Sequence, residues 1–192
     1  RSTLFPYTTL FRSGSCMKYY KTITLKDGRW CLLRNAMGSD AKAVLENFNK
    51  VHAETDFLLS YPDEKRFSID EEIEFLAKKQ ISPSEIQICS IVNNKIIGLA
   101  GISSLGSKEK IKHRAELGIS IEQEFWGLGI GSALTKACID CAKSAGYKQL
   151  ELEVVAENFN AIAMYKKLRF EEYGRNPRGF CSRYTEIGRA HV

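Results

Sequence analysis

Three alternating glycines, Gly127, Gly129 and Gly131, lie between an apolar run and a helical pattern. Glycine lets the backbone turn sharply and lets a ligand approach the main-chain amides closely. A helix that starts at such a turn points its unpaired N–H groups, and the positive end of its dipole, into the same space. This combination is suited to binding a phosphate or pyrophosphate group.

Two well-known phosphate-binding loops do not fit these residues. A P-loop needs lysine and then Ser or Thr directly after its last glycine, whereas Gly131 is followed by Ser132 and Ala133. The dinucleotide-binding fingerprint needs its third glycine one position later, where Ser132 stands. The alternative without a ligand is that the glycines let a helix pack closely against a strand, and the loop alone leaves both interpretations open.

A second set of residues that could do chemistry lies downstream. Residues 150–155 alternate apolar and acidic side chains, as a half-buried strand does, and include Glu153. The next stretch places apolar side chains at helical spacing behind Asn158 and includes Tyr165. The predicted order is therefore strand, glycine loop, helix, strand and helix.

On these motifs the chain resembles the GNAT superfamily of acetyl-CoA-dependent N-acetyltransferases, over about residues 25–184. The family's first signature, Gln/Arg-x-x-Gly-x-Gly/Ala, is matched at Gly129 and Gly131. Its second, Asn-x-x-Ala-x-x-x-Tyr on a later helix, is matched at Asn158, Ala161 and Tyr165. Two motifs in the family's order are far more specific than either alone.

The chain departs from the family pattern at two positions. Trp126 occupies the Gln/Arg position, which we expect to be left without a side-chain donor. Arg169 stands where glycine usually precedes Phe170, and a left-handed backbone would be strained there.

The resemblance implies which residues bind acetyl-CoA. A strand makes main-chain contacts with the pantetheine arm, the glycine loop holds the pyrophosphate, and Asn158 bonds the pantetheine or positions the thioester. The strand residues are Ile119, Ser120 and Ile121, and the loop residues are Gly127, Leu128, Gly129, Ile130, Gly131 and Ser132.

The resemblance also implies the catalytic roles. Tyr165 matches the tyrosine proposed in the family to protonate the CoA thiolate, and the alternative is an ordinary core aromatic. Glu116 matches a position where some members carry a general base. Glu153 matches the position used by members that acetylate protein N-termini, and either carboxylate could instead be solvated.

Strands come first as hairpins and later alternate with helices, which predicts an α/β (α+β) fold. We expect a GNAT-like mixed, mostly antiparallel sheet with helices on both faces. The resemblance implies that its central strands splay apart to admit acetyl-CoA. Local signals include a hairpin turn at Asn93 and Asn94, and a capping box formed by Ser68 and Glu71. We also expect a strand from Arg114 to Ile121 before the glycine loop, and a helix after the loop that ends at Gly146.

Both ends of the chain resemble translated sequencing adapters, and we interpret them as non-native. Residues 1–16 are then an extension, residues 17–185 a single acetyltransferase domain, and residues 186–192 a tail. The final strand of the domain, which we expect over residues 180–184, is then truncated.

The composition excludes several function classes. The formal charge of +5 is mild and gives no case for nucleic acid, and no apolar run is long enough for a membrane span. Cys138 and Cys141 fall on the apolar face of a predicted helix, so we expect core residues and no metal site. We expect a cytoplasmic protein, and a homodimer is one assembly open to it.

The sequence therefore predicts an N-acetyltransferase that moves an acetyl group from acetyl-CoA to a primary amine of a small molecule or peptide. Two alternatives remain open, a non-catalytic acyl-CoA sensor and a protein N-terminal acetyltransferase. Acidic side chains before the second helix, Glu54, Asp56, Asp63 and Glu64, could favour a cationic acceptor.

Overall fold

A computed structural model describes the backbone of residues 8–13, 16–58, 67–181 and 187–191, and the side chains of residues 16–58 and 67–176. Ten strands and four helices lie in this part of the chain. The strands are β1 (Thr8–Ser13), β2 (Cys16–Thr24), β3 (Trp30–Asn35), β4 (Ile86–Val92), β5 (Lys95–Ser104), β6 (Arg114–Ile121), β7 (Gln149–Glu151), β8 (Val154–Val155), β9 (Arg175–Cys181) and β10 (Ile187–His191). The helices are α1 (Ala41–Glu54), α2 (Ile69–Ile81), α3 (Ile130–Ala145) and α4 (Phe159–Lys167).

Strands β1 to β7 form one sheet in chain order, and β8, β10 and β9 form a smaller one. Every pairing from β1 to β6 is antiparallel, whereas β6 and β7 are parallel. The parallel pairing covers three residues of β6, Arg114 to Glu116, and then stops. The predicted mixed, mostly antiparallel sheet is confirmed, and β6 and β7 diverge as the resemblance implied.

Helices cover both faces of the large sheet. On one face, Leu134, Cys138 and Cys141 of α3 pack with Ile88, Ile102 and Leu117 of the strands. On the other face, Val44 of α1 and Leu76 of α2 pack with Cys89 and Leu99. Because side chains alternate along a strand, Leu117, Ile119 and Ile121 of β6 all lie on the α3 side of the sheet.

Several local predictions are confirmed. Asn93 and Asn94 have φ values of 49° and 62° at the tight turn between β4 and β5. Asparagine adopts this left-handed backbone more easily than a β-branched residue does. Ser68 Oγ accepts a hydrogen bond from Glu71 N at 3.2 Å, which makes the predicted capping box. Gly146 ends α3 with φ 89°.

Two strand predictions need correction. Residues 150–155 do not form one strand, because β7 stays with β6 while β8 pairs with β10 in the smaller sheet. The strand expected over residues 180–184 is instead β9, which begins at Arg175 and ends at Cys181. Residues 182–184 lie outside the described part of the chain. The adapter-like segments include β1 and β10, and their origin stays a prediction.

None of the helices in the described residues is long and apolar enough to cross a membrane.

Candidate active site

The glycine loop has the backbone geometry that its composition predicts. Gly127 and Gly129 have φ values of 74° and 98°, a region that side chains with a Cβ rarely adopt. An added Cβ at either position would meet nothing within 4 Å, so the conformation, not crowding, requires glycine. Gly129 is the residue before the first turn of α3 and carries no capping side chain.

The amides of this loop are open. Within the described residues, no hydrogen-bond acceptor faces the six successive N–H groups from Gly127 to Ser132. The carbonyl of Leu128 is used, because it accepts from Lys26 N at 3.2 Å and so ties the loop to the turn after β2. Open amides at a helix N-terminus form a site for an anion such as pyrophosphate.

Gly131 serves a different purpose. A Cβ there would lie 3.1 Å from Met164 Sδ and 3.5 Å from a methyl group of Ile121. Glycine therefore lets the first turn of α3 approach α4 closely, which is the packing alternative raised by the sequence. The side chain of Ile130 is buried in the same core, so this residue offers only its amide to the site.

Trp126 carries a side-chain donor, but the structure uses that donor within the chain, and the absence of a donor toward a ligand stays a prediction. Its indole Nε1–H donates a hydrogen bond of 2.9 Å to the carbonyl oxygen of Ile121, the last residue of β6. The ring is 44% exposed beside the glycine loop. The donor therefore braces the loop against the strand and carries no charge toward a ligand.

The hydrogen-bonding groups of β6 alternate between two edges. Glu122 N donates to Ile97 O at 2.9 Å, and Leu105 N donates to Arg114 O at 3.2 Å, so even-numbered residues face β5. Odd-numbered residues then present their N–H and C=O groups toward β7. Since pairing with β7 ends at Glu116, the main-chain groups of Ile119 face the gap where the sheet divides. Those of Ser120 face β5.

Asn158 and Tyr165 lie on α4 as the second motif predicts. Asn158 Oδ1 accepts from Ala161 N at 3.4 Å and caps the helix, which orients its side-chain amide at the start of α4. Tyr165 is 8% exposed and packs edge-on against Phe170, with ring centroids 5.6 Å apart. Burial, together with the neighbouring Cys138 thiol, raises the pKa of Tyr165 to about 12. The phenol is protonated at neutral pH, as an exposed tyrosine also is, and the raised pKa makes it a weaker acid.

The two candidate bases are both exposed, and both lie where β6 and β7 diverge. Glu116 points to the α1 and α2 side of the sheet, because its neighbour Leu117 packs on the α3 side. Glu153 lies in the break between β7 and β8. Neither is paired with a cation in the described residues.

Glu151, two residues before Glu153, is tied down. Arg114 Nη2 and Nε hold its carboxylate at 2.7 and 2.5 Å, and Tyr173 OH donates to it at 3.0 Å. The bond from Arg114, and secondarily that from Tyr173, lowers the pKa of Glu151 against the opposing effect of its burial. This carboxylate therefore holds the strands together at the point where the gap opens.

Cys138 and Cys141 lie inside the core as predicted, both 0% exposed. Burial raises the pKa of Cys141 to about 12 and that of Cys138 further still, so both thiols are unreactive. Among the described residues, no three histidine, cysteine or acidic side chains come together as a metal-binding group.

A polar cluster beside the glycine loop was not predicted from the sequence. The carboxylate of Glu122, only 1% exposed, accepts hydrogen bonds from Asn47, Lys50 and Lys95. The only local signal was a polar Asn47 on the apolar face of α1. Glu54, expected in an acceptor-binding region, instead accepts from Gln123 N at 2.7 Å. Asp63 and Glu64 lie outside the described residues.

Comparisons with known proteins agree with this geometry. The sequence profile of the acetyltransferase (GNAT) family matches residues 51–170. An uncharacterized N-acetyltransferase of Methanocaldococcus jannaschii is 37% identical over 86 residues, which is 42% of this chain and 37% of that protein. The matched region thus spans little more than a third of that relative's length.

Two solved structures share the fold. An acetyltransferase of the GNAT family from Streptococcus pneumoniae is 28% identical, with a TM-score of 0.79 over 84% of this chain and 96% of the other. A protein from Salmonella typhimurium, described as an acetyltransferase with its cofactor acetyl-CoA, is 17% identical, with a TM-score of 0.73 over 84% and 90%. The second likeness concerns the fold alone.

Proposed function

This chain belongs to the acetyltransferase (GNAT) family, and we propose that it is an acyltransferase that moves the acetyl group of acetyl-CoA to a primary amine of a small molecule or peptide. The observation that carries this proposal is the run of six open amides from Gly127 to Ser132, next to the unpaired edge of β6. The open amides would bind the anionic pyrophosphate of CoA. The strand edge would bind its extended, amide-containing pantetheine arm.

The open amides fit a pyrophosphate, because they supply several donors at the positive end of α3 without a charged side chain. The edge groups of Ile119, and the N–H of Ile121, whose carbonyl already accepts from Trp126, fit the amides of a pantetheine arm. Asn158 adds a side-chain amide at the start of α4, and we assign it to the pantetheine or the thioester.

The proposed reaction is direct attack of the amine nitrogen on the thioester carbonyl carbon. The new C–N bond forms, the C–S bond breaks, and the thiolate leaves with the electron pair. A main-chain N–H of the β6 edge polarises the carbonyl. Tyr165 gives its phenolic proton to the sulfur, and what supports that role is its match to the second motif on α4, behind Asn158.

The amine must lose a proton before or during the attack. Glu116 and Glu153 are the two proposed acceptors of that proton, directly or through water. Tyr165 packs on the α3 side and Glu116 points to the other side, so acid and base would act across the gap between β6 and β7.

Release of CoA in the presence of polyamines, amino acids, aminoglycosides and peptides tests the proposal. We expect turnover with at least one class. Tight CoA binding with no turnover on any of them would favour the sensor, and turnover confined to peptides with free N-termini would favour the protein N-terminal acetyltransferase.

Tyr165→Phe tests the proton donor, with Tyr19→Phe as the matched control. Both tyrosines are buried in the same core, and burial raises the pKa of each to about 12. We expect Tyr165→Phe to lower kcat by about 100-fold with CoA affinity unchanged, and Tyr19→Phe to leave both unchanged. Equal turnover in the two variants would remove Tyr165 as the acid.

We also propose a cytoplasmic location, no nucleic-acid partner and a homodimer as the assembly to test. The mild positive charge of the chain supports the second point. Size-exclusion chromatography with light scattering would decide the assembly.

A further inference from the structure

The segment between β6 and the glycine loop is held by one face of α1. Asn47, Lys50 and Glu54 are spaced so that they lie on the same side of that helix. Each bonds the segment at a different point: Asn47 Nδ2 to Glu122 at 3.2 Å, Lys50 Nζ to Glu122 and Glu124 at 2.9 Å each, and Glu54 to Gln123 N at 2.7 Å. We call this set of contacts the α1 clamp.

Glu122 is the centre of the α1 clamp. Its side chain is 1% exposed, and a carboxylate removed from water this completely must be compensated by partners. Lys95 Nζ adds a third bond, at 3.2 Å, from the start of β5. The backbone N–H of Glu122 also donates to Ile97 O, so both the side chain and the main chain of Glu122 are fixed.

Glu122 lies between the two surfaces that we assign to acetyl-CoA, the β6 edge and the glycine loop. The residue directly follows Ile121, at the end of the unpaired edge, and the segment leads through Phe125 and Trp126 into Gly127. Both surfaces assigned to acetyl-CoA therefore meet at this segment. An error of about 1 Å in the placement of a bound substrate can cost about 100-fold in rate.

We propose that Glu122 is a positioning residue for acetyl-CoA: through the α1 clamp it fixes the β6 edge and the glycine loop relative to each other. This inference rests on the proposed function for its ligand. It also links the cofactor surfaces to α1, whose last turn leads into residues 55–58.

A partly buried ion pair elsewhere in the chain offers a matched control. Arg34 Nη1 and Asp40 lie 2.7 Å apart, and Asp40 also accepts from Met37 N at 2.8 Å, just before α1 begins. Neutralising the carboxylate of either Glu122 or Asp40 leaves a cation without its buried or partly buried partner, which destabilises the fold. Only the loss at Glu122 should change the loop.

The experiment uses the full chain with Trp30→Phe, which leaves Trp126 as its single tryptophan. Glu122→Gln should increase acrylamide quenching of Trp126 and raise the KM for acetyl-CoA by about tenfold, with kcat changed by less than about threefold. Asp40→Asn should lower the urea midpoint without either change. Lys50→Met, which leaves Lys95 in place, should show the same two effects at smaller size, and it substitutes for Glu122→Gln if that variant does not fold.

A Glu122→Gln protein that is less stable but keeps the quenching and the KM of the parent would overturn the proposal. The quenching measurement needs no ligand. If the parent chain binds no CoA, the proposed function fails, while quenching still decides whether Glu122 holds the segment.

Discussion

The two ends of α3 are both formed by glycines in the left-handed conformation. The backbone groups left over by the helix are hydrogen-bonded at its C-terminal end and open at its N-terminal end. At the C-terminal end, Gly146 N donates to Lys143 O and Tyr147 N donates to Ala142 O, both at 3.0 Å. At the other end, the residue before the helix is Gly129, and the first amides of the helix have no acceptor within the described residues.

Helices α2 and α4 each begin with a side-chain cap, whereas α1 has none and continues directly from a short 3-10 turn. Ser68 caps α2 and Asn158 caps α4, each through a side-chain oxygen. A helix end left open where comparable ends are capped indicates that an outside group completes the bonding. The difference therefore supports the proposed anion site more strongly than the glycines alone.

The largest expected effect is a loss of folding stability at high pH, and it arises in the body of α3, between its two ends. Cys138, Cys141, Tyr19 and Tyr165 pack together there, and burial raises the pKa of each. The folded chain therefore holds more protons than the unfolded chain above pH 9 for the thiols and above pH 10 for the tyrosines. Their contribution to stability is complete below those values and is lost as the pH rises toward 12.

Urea unfolding under reducing conditions at pH 8 to 11 measures this loss. Because neither glycine end titrates, binding of CoA should persist until the fold itself is lost. A free energy of unfolding that stays constant from pH 9 to 11 would contradict the assigned burial of these four groups.

The same substitution at both ends separates binding from stability. Ser132→Glu puts a carboxylate among the open amides, where it should stabilise the helix by about 0.5 kcal/mol and lower CoA affinity by about 100-fold through repulsion of the pyrophosphate. Ser144→Glu puts the charge at the negative end of α3, and we expect a loss of about 0.5 kcal/mol with affinity unchanged. Calorimetry with CoA and urea unfolding measure the two effects, and equal affinities would refute the anion site.

Replacing the two left-handed glycines makes a second pair. Gly129→Ala and Gly146→Ala each force a Cβ into φ near +90° without a clash, at a cost of about 1–2 kcal/mol. Only Gly129→Ala should also raise the KM for acetyl-CoA, by about tenfold, because only that end is assigned to the ligand. A similar KM in both variants would reduce Gly129 to a structural glycine.

The smallest effect concerns a third helix end. Arg169 follows α4 with φ 69°, and the bonds from Arg169 N to Lys166 O and from Phe170 N to Tyr165 O repeat those at Gly146. The strain predicted from the missing glycine is therefore present. Arg169→Gly should stabilise the fold by about 0.5–1 kcal/mol with turnover unchanged, measured by urea unfolding. Lower stability of Arg169→Gly would mean that contacts of the arginine side chain stabilise the fold by more than its left-handed backbone destabilises it.

Features decided by neighbouring residues were predictable from sequence. The turn at Asn93 and Asn94, the capping box at Ser68 and the glycine at the end of α3 depend on the backbone preferences of a few adjacent residues. The strand before the glycine loop, Arg114 to Ile121, was also predicted with its observed bounds, because it alternates cleanly.

Features decided by distant residues were not predictable. The division at residues 152–153 depends on pairing between β8 and β10, which are far apart in sequence. Glu122 and its partner Asn47 are 75 residues apart, so no local pattern joins them. The bond from Trp126 to Ile121 spans only five residues, but it depends on how the loop folds back on the strand.

The alternation along β6 has a consequence for hydrogen exchange. Amides of even-numbered residues such as Gly118 and Ser120 are bonded to β5, whereas that of Ile119 faces the gap. One strand should therefore contain slowly and rapidly exchanging amides in turn, a pattern that burial alone does not produce. A molecule lying along the gap would slow the rapid set and leave the slow set as it was, so the strand itself records whether its edge is occupied.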